Sequence, residues 1–196
     1  MAQLTRDDVL RRAEKTKDLT GLDLSGIDFE GASLVRVNFR SAILDGAVFR
    51  GADLTEAEFR DARLVNADLR RAKLRHAVLI GANIEGANFE DADMLGAFLN
   101  GTHAAGANFK RADLRAARIG VPTFQPADPF GSVTTFEGAN LEWSLFGGVD
   151  LTGVDFRGAN LSHAHLYEAE IRGALLDGAT LTGVRLKYQP KEYATA

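Results

Sequence analysis

The stretch Phe49-Arg-Gly-Ala-Asp-Leu-Thr-Glu-Ala-Glu-Phe59 decides the fold, because its pattern recurs every five residues. Large apolar side chains stand at Phe49, Leu54 and Phe59, and alanine stands two residues before the last two of them, at Ala52 and Ala57. A five-residue period differs from the ~3.6-residue period of an α-helix and from the alternation of a half-buried strand. Self-similarity at a fixed period indicates a stack of repeated structural units.

The same spacing continues over residues 24–119 and, after an interruption, over residues 136–186. We call the large apolar position i. Position i−2 is almost always alanine from Ala42 to Ala117, and the other three positions are mostly polar. One small and one large inward residue in every five predict a narrow coil. The predicted core includes Phe29, Phe39, Phe49, Leu54, Phe59, Phe89, Phe109, Phe124, Phe136 and Phe156.

Segments such as Gly51-Ala52-Asp53-Leu54 and Gly158-Ala159-Asn160-Leu161 resemble the Ala-(Asp/Asn)-Leu-X-X pattern of the pentapeptide repeat family. The resemblance covers residues 19–186, apart from the interruption. It implies an all-β solenoid, namely a right-handed quadrilateral β-helix in which four walls make one coil. With a coil of twenty residues, the chain would form about eight coils.

The composition narrows the classes of protein to which this chain can belong. One continuous repeat in 196 residues predicts a single domain with a capping helix (1–18), the solenoid (19–186, interrupted at 120–135) and a tail (187–196). The absence of cysteine excludes disulfide bonds and thiolate metal sites. No apolar run approaches the ~20 residues of a membrane span. Because the N-terminus lacks the apolar segment of a secretory signal, we expect a cytoplasmic protein.

Residues 5–17 are predicted to form a short helix. Thr5 and Asp8 have the spacing of a capping box, and Leu4 and Val9 have that of a hydrophobic staple. The end of a solenoid exposes backbone groups and apolar core that need a cover. We therefore interpret the helix as a lid on the first coil, and a separate binding role is the alternative.

Residues twenty apart should be neighbours in adjacent coils. This register confines phenylalanine to two opposite walls, one containing Phe29 and the other Phe39. It also predicts ion pairs between coils, each worth about 0–1 kcal/mol where exposed. The predicted series are Glu30–Arg50, Arg70–Glu90–Lys110, Asp53–Lys73–Asp93 and Arg71–Asp91–Arg111.

The proline-rich residues 120–135 interrupt the repeat, since proline cannot donate to a sheet ladder. Ala104 has lost the large side chain expected at position i, and Phe124, one coil later, would fill the gap. Counting from Phe124 to Phe136 gives one five-residue wall and seven extra residues. This count returns Phe136 and Phe156 to the wall of Phe29.

We therefore predict one protruding loop near residues 125–131 in a continuous stack. Long loops on rigid scaffolds often carry recognition residues. The candidates here are Gln125, Asp128 and Phe130. Alternatively, Phe130 folds back and covers the coil.

Outward apolar residues are further candidates for contact with a partner. Val78, Ile80 and Phe98 share one wall, and Leu95 lies on the adjoining wall. An apolar cluster on a polar solenoid marks a candidate contact surface, although scattered surface apolar residues are also common.

Two outward aromatic residues, Trp143 and Tyr167, follow the interruption. The register stacks Trp143 under His163 and Leu145 under His165. The two histidines do not predict a metal site, because no third ligand is evident and the alanine between them points inward.

The sequence favours a non-catalytic protein-binding scaffold and does not identify the partner. It contains no cysteine nucleophile, no defensible Ser-His-Asp set and no phosphate-binding glycine loop, and we predict no cofactor, metal, membrane or direct nucleic-acid contact. The family resemblance implies an alternative, since some pentapeptide repeat proteins mimic duplex DNA and protect DNA gyrase from quinolones. The final coil needs a cover, which is either the tail (187–196) or a second molecule. The resemblance implies the second, a homodimer through the C-terminal end. The net charge of −4 is small for a DNA mimic.

Overall fold

The computed structural model describes residues 4–120 and 133–186. It begins with α1 (Arg6–Thr16) and continues as stacked coils in which parallel β-bridges join residues 20 apart. Away from residues 121–132 the bridges recur at every fifth residue, and four of them join each pair of adjacent coils. Within the described residues every bridge is isolated, and none extends into a longer strand. We name the walls in chain order by their i residues: wall A has Leu24 and Leu44, wall B Phe29 and Phe49, wall C Leu34 and Leu54, and wall D Phe39 and Phe59.

Helix α1 covers the first coil, and its predicted capping box is present. Thr5 and Asp8 exchange side-chain-to-backbone hydrogen bonds of 3.3 and 3.4 Å, while Val9 is buried. The first coil has no preceding coil to donate to its carbonyl oxygens. Arg6 and Arg12 donate instead, to the carbonyls of Asp28 (2.7 Å) and Asp18 (2.9 Å). The lid therefore supplies polar partners as well as apolar cover.

The interior is a stack of rings, leucines and alanines. Along wall B the Phe29 and Phe49 rings stack with centroids 4.8 Å apart, and along wall D Phe39 and Phe59 stack at 4.9 Å. Rings on opposite walls meet edge to face, as Phe29 and Phe39 do at 6.2 Å. Both arrangements suit the ring quadrupole. All the predicted core residues are buried except Phe124, which lies outside the described residues.

The register across the interruption agrees with the predicted seven extra residues. Asn108 bridges to Thr135, Asp113 to Asn140 and Arg118 to Leu145, each a separation of 27 residues where the other bridges span 20. The Phe109 and Phe136 rings consequently stack at 4.8 Å, which continues wall B. The predicted loop at residues 125–131 lies outside the described residues.

A hydrogen bond explains why Asp and Asn recur at position i−1. Their side-chain oxygen accepts from the backbone N–H two residues later, as Asp53 does from Thr55 (3.1 Å) and Asn88 from Glu90 (3.0 Å). This Asx-type turn fixes the bend between walls. The same bond is made by Asp18, Asp23, Asp28, Asn38, Asp68, Asn83, Asp93, Asn108, Asp113, Asn140, Asp150, Asp155 and Asn160.

Acidification should destabilise the stack through these turns. Side-chain hydrogen bonds from Thr55 and Arg157 are the largest causes that lower the pKa values of Asp53 and Asp155, and the backbone N–H bonds of the turns lower these pKa values further. A lowered pKa in the folded state means that the unfolded state binds more protons. The free energy of unfolding should therefore be constant well above the unfolded Asp value of about 3.9 and fall as pH drops below it. Urea unfolding at a series of pH values measures this.

The Asp155→Asn variant is the control for acidification. It keeps an acceptor for the N–H of Arg157 but removes one titrating group, so its stability should depend less on pH between about 4 and 2. A free energy of unfolding that rises on acidification in this range would contradict the prediction.

Candidate interaction surface

On wall D, position i−1 lacks both Asp and Asn in every described coil after the second. On wall D the i−1 side chain is Asp18 in the first coil and Asn38 in the second, and it is neither Asp nor Asn in any later described coil. From the fourth coil the bridge-linked i−1 residues are Val78, Phe98, Arg118, Leu145, His165 and Arg185. With Trp143, His163 and Tyr167, which flank this column, they form what we call the wall-D surface.

The bridges unite two groups of residues that sequence analysis treated separately. Phe98 bridges to Arg118, and Arg118 bridges to Leu145 across the interruption. The apolar group before residue 120 and the aromatic group after residue 133 therefore lie on one face. The predicted count of seven extra residues, which makes the separation across the interruption 27, already implied this alignment.

The part of the wall-D surface nearer the N-terminus is less exposed than predicted. Val78 and Phe98 are half-buried, as are the neighbouring Ile80 and Leu95. The guanidinium of Arg118 lies 5.1 Å from the centroid of the Phe98 ring, which is a cation–π contact. Leu95 follows Met94 on wall C, so it borders the surface rather than belonging to its column.

The part nearer the C-terminus presents exposed aromatic side chains. Trp143 is 49% exposed and stacks on His163, with centroids 4.3 Å apart. Tyr167 is 42% exposed and meets His165 edge to face at 5.3 Å. Leu145 lies between these two pairs and is also exposed. These contacts agree with the predicted stacking of Trp143 under His163.

The corner geometry sets how this aromatic stack is built. Trp143 and His163 occupy the i+2 corner with φ of 61° and 58°, a left-handed conformation in which glycine is usual. One coil later the corner is Gly183, where an added Cβ would lie 2.5 Å from Nδ1 of His163. The imidazole therefore needs a glycine beneath it.

Ion pairs on the other walls follow the predicted ladder only in part. Arg50 pairs with Glu30 at 3.8 Å, and Asp91 pairs with Arg71 (3.9 Å) and Arg111 (2.8 Å), as predicted. The predicted Arg70–Glu90–Lys110 series is wrong. Arg70 folds back onto Asp68 at 2.7 Å, Lys110 pairs with Glu137 and Arg111 pairs with Glu90.

The Asp53–Lys73–Asp93 series is half right. Lys73 lies 3.8 Å from Asp53, whereas Asp93 meets Arg75 at 3.6 Å. The reason is that a basic residue at i+1 can reach an i−1 acid of its own coil, as Arg70 reaches Asp68, or of the next coil, as Arg75 reaches Asp93. The hydrogen bonds that Arg111 donates to Asp91 and Glu90 raise the pKa of Arg111.

The basic residues of the wall-D surface differ from these paired residues. Among the residues that the structure describes, no carboxylate oxygen lies within 4.0 Å of the side-chain nitrogens of Arg118 or Arg185. In the described part of this surface beyond Phe98, the acids adjacent in sequence to its members are Glu142, which precedes Trp143, and Glu168, which follows Tyr167. A basic, aromatic strip thus lies on a protein with net charge −4.

Two kinds of feature are absent from the part of the chain that the structure describes. No group of three His, Asp or Glu side chains there could hold a metal ion, and His163 and His165 engage aromatic rings instead. No helix there has the length and hydropathy needed to cross a membrane. The other candidates Gln125, Asp128 and Phe130 lie outside the described residues.

Comparison with solved structures finds similar solenoids. A pentapeptide repeat protein from the thylakoid lumen of Arabidopsis thaliana is 42% identical over 50% of this chain and 68% of its own, with a TM-score of 0.49. A trypsin-treated form of QnrB1, a plasmid-mediated fluoroquinolone resistance protein, is 25% identical over 87% of this chain and 86% of its own, with a TM-score of 0.59. Rfr23, from the cyanobacterium Cyanothece 51142, is 21% identical over 91% of this chain and 92% of its own, with a TM-score of 0.42.

Comparison at the level of sequence gives the family. None of the curated proteins matches the chain. The family profile described as pentapeptide repeats matches it in eight copies, in overlapping segments over residues 18–119 and 135–183. With its five-residue walls, alanine at i−2 and Asx turns at i−1, this chain belongs to the pentapeptide repeat family.

Proposed function

We propose that this protein is a non-catalytic scaffold that binds a protein partner through the wall-D surface. The scaffold would be the right-handed quadrilateral β-helix of its family, with about eight coils. The observation that carries the proposal is the unbroken loss of Asp and Asn from the i−1 column of wall D after Asn38.

This loss is costly for the fold. Each Asx turn contributes a hydrogen bond with a typical net worth of about 0.5–1.5 kcal/mol. Val78, Phe98, Arg118, Leu145 and Arg185 have no side-chain acceptor with which to make it. The side chains that replace Asp and Asn on wall D are exposed or half-buried, so their burial offsets only part of the free energy of the lost hydrogen bonds. Departure from a local rule without structural compensation is typical of functional sites.

The composition and shape of the surface also suit binding. Aromatic residues and arginine are enriched in interfaces and at their energetic hot spots. Trp143, Tyr167 and Arg118 provide such side chains on a rigid backbone. The column from Val78 to Arg185 is about 24 Å long at ~4.8 Å per coil.

Leu145→Asn tests the proposal by restoring the consensus. The new side chain can accept from the N–H of Gly147, so the free energy of unfolding should rise by about 0.5–1.5 kcal/mol. Binding should fall, because an apolar anchor at the centre of the surface is lost. Urea unfolding gives the first quantity. To measure binding, Tyr167 is replaced by benzoyl-phenylalanine. The yield of its photo-crosslink to one discrete protein of the source cells then reports the binding.

Leu175→Asn is the matched control. Leu175 is exposed at i−1 of wall B, outside the surface, and the same change there should raise stability without lowering the crosslink yield. Equal crosslink yields from wild type and Leu145→Asn would contradict the proposed role of this surface. So would an equally strong crosslink to the same protein from position 172 on wall A.

A second candidate function is modulation of DNA gyrase. Similarity to QnrB1, at 25% identity and a TM-score of 0.59, favours it. The mixed ion-pair ladders argue against a continuous acidic face that would mimic DNA. The test is gyrase supercoiling with and without a fluoroquinolone. Relief of drug-stabilised cleavage at micromolar protein would support this function, and an unchanged gyrase activity would reject it for the gyrase used.

A homodimer through the C-terminal end is also a proposal. Ile171, Leu176 and Leu186 in the last described coil are only partly buried, and Leu181 is 41% exposed. This apolar end would be covered in a dimer. Light scattering after size exclusion distinguishes a mass of about twice 21.1 kDa from that of a monomer.

A further inference from the structure

We propose that the partner of the wall-D surface presents an extended acidic segment, whose carboxylates pair with Arg118 and Arg185 and whose apolar side chain packs on Leu145. This inference rests on the proposed function, because it specifies the chemistry of the same surface.

The charge pattern selects an acidic partner. Most arginines of the coils on walls A to C hold a carboxylate, as Arg63 holds Asp45 at 2.5 Å and Arg115 holds Asp113 at 2.6 Å. Arg118 and Arg185 hold none among the described residues. Arg118 meets the Phe98 ring in a cation–π contact rather than a hydrogen bond, so its N–H donors stay available to a partner. A guanidinium in this state is suited to bidentate pairing with a carboxylate.

The spacing of the charges selects an extended segment. Arg118, Leu145, His165 and Arg185 are successive members of one bridge ladder. Three steps of ~4.8 Å place the two arginine positions about 14 Å apart. An extended chain advances ~3.4 Å per residue and turns alternate side chains to one face, so residues i and i+4 span the same distance. A Glu-x-Leu-x-Glu segment therefore matches the column, with its leucine over Leu145 and His165.

The aromatic flanks supply the apolar part of the site. Trp143 stands on one side of Leu145 and Tyr167 on the other side of the column, and both are exposed. A leucine between them would bury apolar area on three sides. Among the described residues of this surface, the two arginines without a carboxylate are few for a nucleic acid, whose binding scales with the number of phosphates neutralised. The pattern favours carboxylates spaced by an apolar residue.

The experiment uses the full chain and the fluorescence of Trp143, the one tryptophan of the protein. The probe is a twelve-residue peptide with Glu-Ser-Leu-Ser-Glu at its centre. Comparison probes replace both glutamates by lysine, or the leucine by serine, and a dT oligonucleotide represents nucleic acid. We expect saturable binding of the acidic probe, at least about tenfold tighter than that of any comparison probe.

Charge reversal provides the second arm. The double variant Arg118→Glu/Arg185→Glu should weaken binding of the acidic probe by at least about tenfold, because two charge-assisted contacts become repulsive. Arg172→Glu is the control, since that side chain is 84% exposed on wall A and its substitution alters charge away from the surface. Circular dichroism and urea unfolding establish that the variants are folded.

Each result has a distinct meaning. No saturable binding of the acidic probe up to about 1 mM, or equal binding of the lysine probe or the oligonucleotide, overturns the inference. If the crosslink from Tyr167 nevertheless depends on Leu145, the proposed function survives and only the partner chemistry is wrong. If that crosslink is also insensitive to Leu145→Asn, the surface itself is not the binding site.

Discussion

Phe49→Ala should lower the free energy of unfolding by about 3–5 kcal/mol, the cost typical of truncating a buried phenylalanine. The Phe49 ring is fully buried, stacks on Phe29 at 4.8 Å and meets Phe39 and Phe59 edge to face at 6.0 and 6.2 Å. Its loss leaves a cavity that the rigid coils on either side cannot close. Equilibrium unfolding in urea measures the change.

Phe49→Leu is the control, because Leu69 already occupies the same position of wall B one coil later. Its cost should stay below about 1.5 kcal/mol. In addition, a stack in which each coil contacts only its neighbours need not unfold as one unit. Far-ultraviolet circular dichroism follows the unfolding of all coils, whereas Trp143 fluorescence follows the coils distant from Phe49. We expect the two unfolding transitions to occur at different urea concentrations in Phe49→Ala. Equal losses for the two variants would contradict the role assigned to the ring stack.

Ala87→Leu should destabilise the protein by at least about 1–3 kcal/mol, through overpacking. Ala87 is fully buried at i−2 of wall B, and the corresponding residues in the adjacent coils are Ala67 and Ala107, also buried. The extra atoms would have to displace either these alanines or the large i residues opposite. The same unfolding assay measures the effect.

Ala87→Ser is the matched control. Ser144 and Thr102 occupy other i−2 positions, are buried and donate to the carbonyl three residues earlier, at 2.6 and 3.0 Å. A serine in place of Ala87 could donate to the carbonyl of Ile84 in the same way, so its cost should be small. A leucine variant as stable as the serine variant would show that the coil has spare volume.

Sequence reasoning succeeded where the period alone decides the outcome. The i and i−2 positions alternate with polar positions so regularly that the inward side chains, the phenylalanine walls and the capping box of Thr5 and Asp8 could be predicted. The structure bears these out. The same reasoning found that i−1 favours Asp or Asn but not the hydrogen bond to the i+1 N–H that explains it. Because the role of this hydrogen bond was not predicted, the i−1 column of wall D was not predicted to be a candidate site.

Sequence reasoning failed to predict ion pairs in which a long basic side chain can reach more than one acid. Arg70 was assigned to Glu90 of the next coil, but it bonds to Asp68 of its own wall. Both acids are within reach of the flexible Arg70 side chain. The twenty-residue register predicts where the Cα atoms lie, but it does not predict which acid the guanidinium contacts. Half-burial of Val78 and Phe98 has a similar origin, since the flanking columns determine how much of an outward side chain remains exposed.

The sequence by itself determined the five-residue walls, the packed interior and the class of fold, because the period commits each side chain to the inside or the outside of the coil. The predicted count of seven extra residues already implied that the residues around Phe98 and those around Leu145 share one wall, as the bridge between Arg118 and Leu145 confirms. Only the tertiary structure decided how these side chains contact one another, because the register fixes backbone positions and leaves the side-chain rotamers open. The availability of Arg118 and Arg185 was likewise a property of the folded molecule, since it requires knowing where every described carboxylate lies.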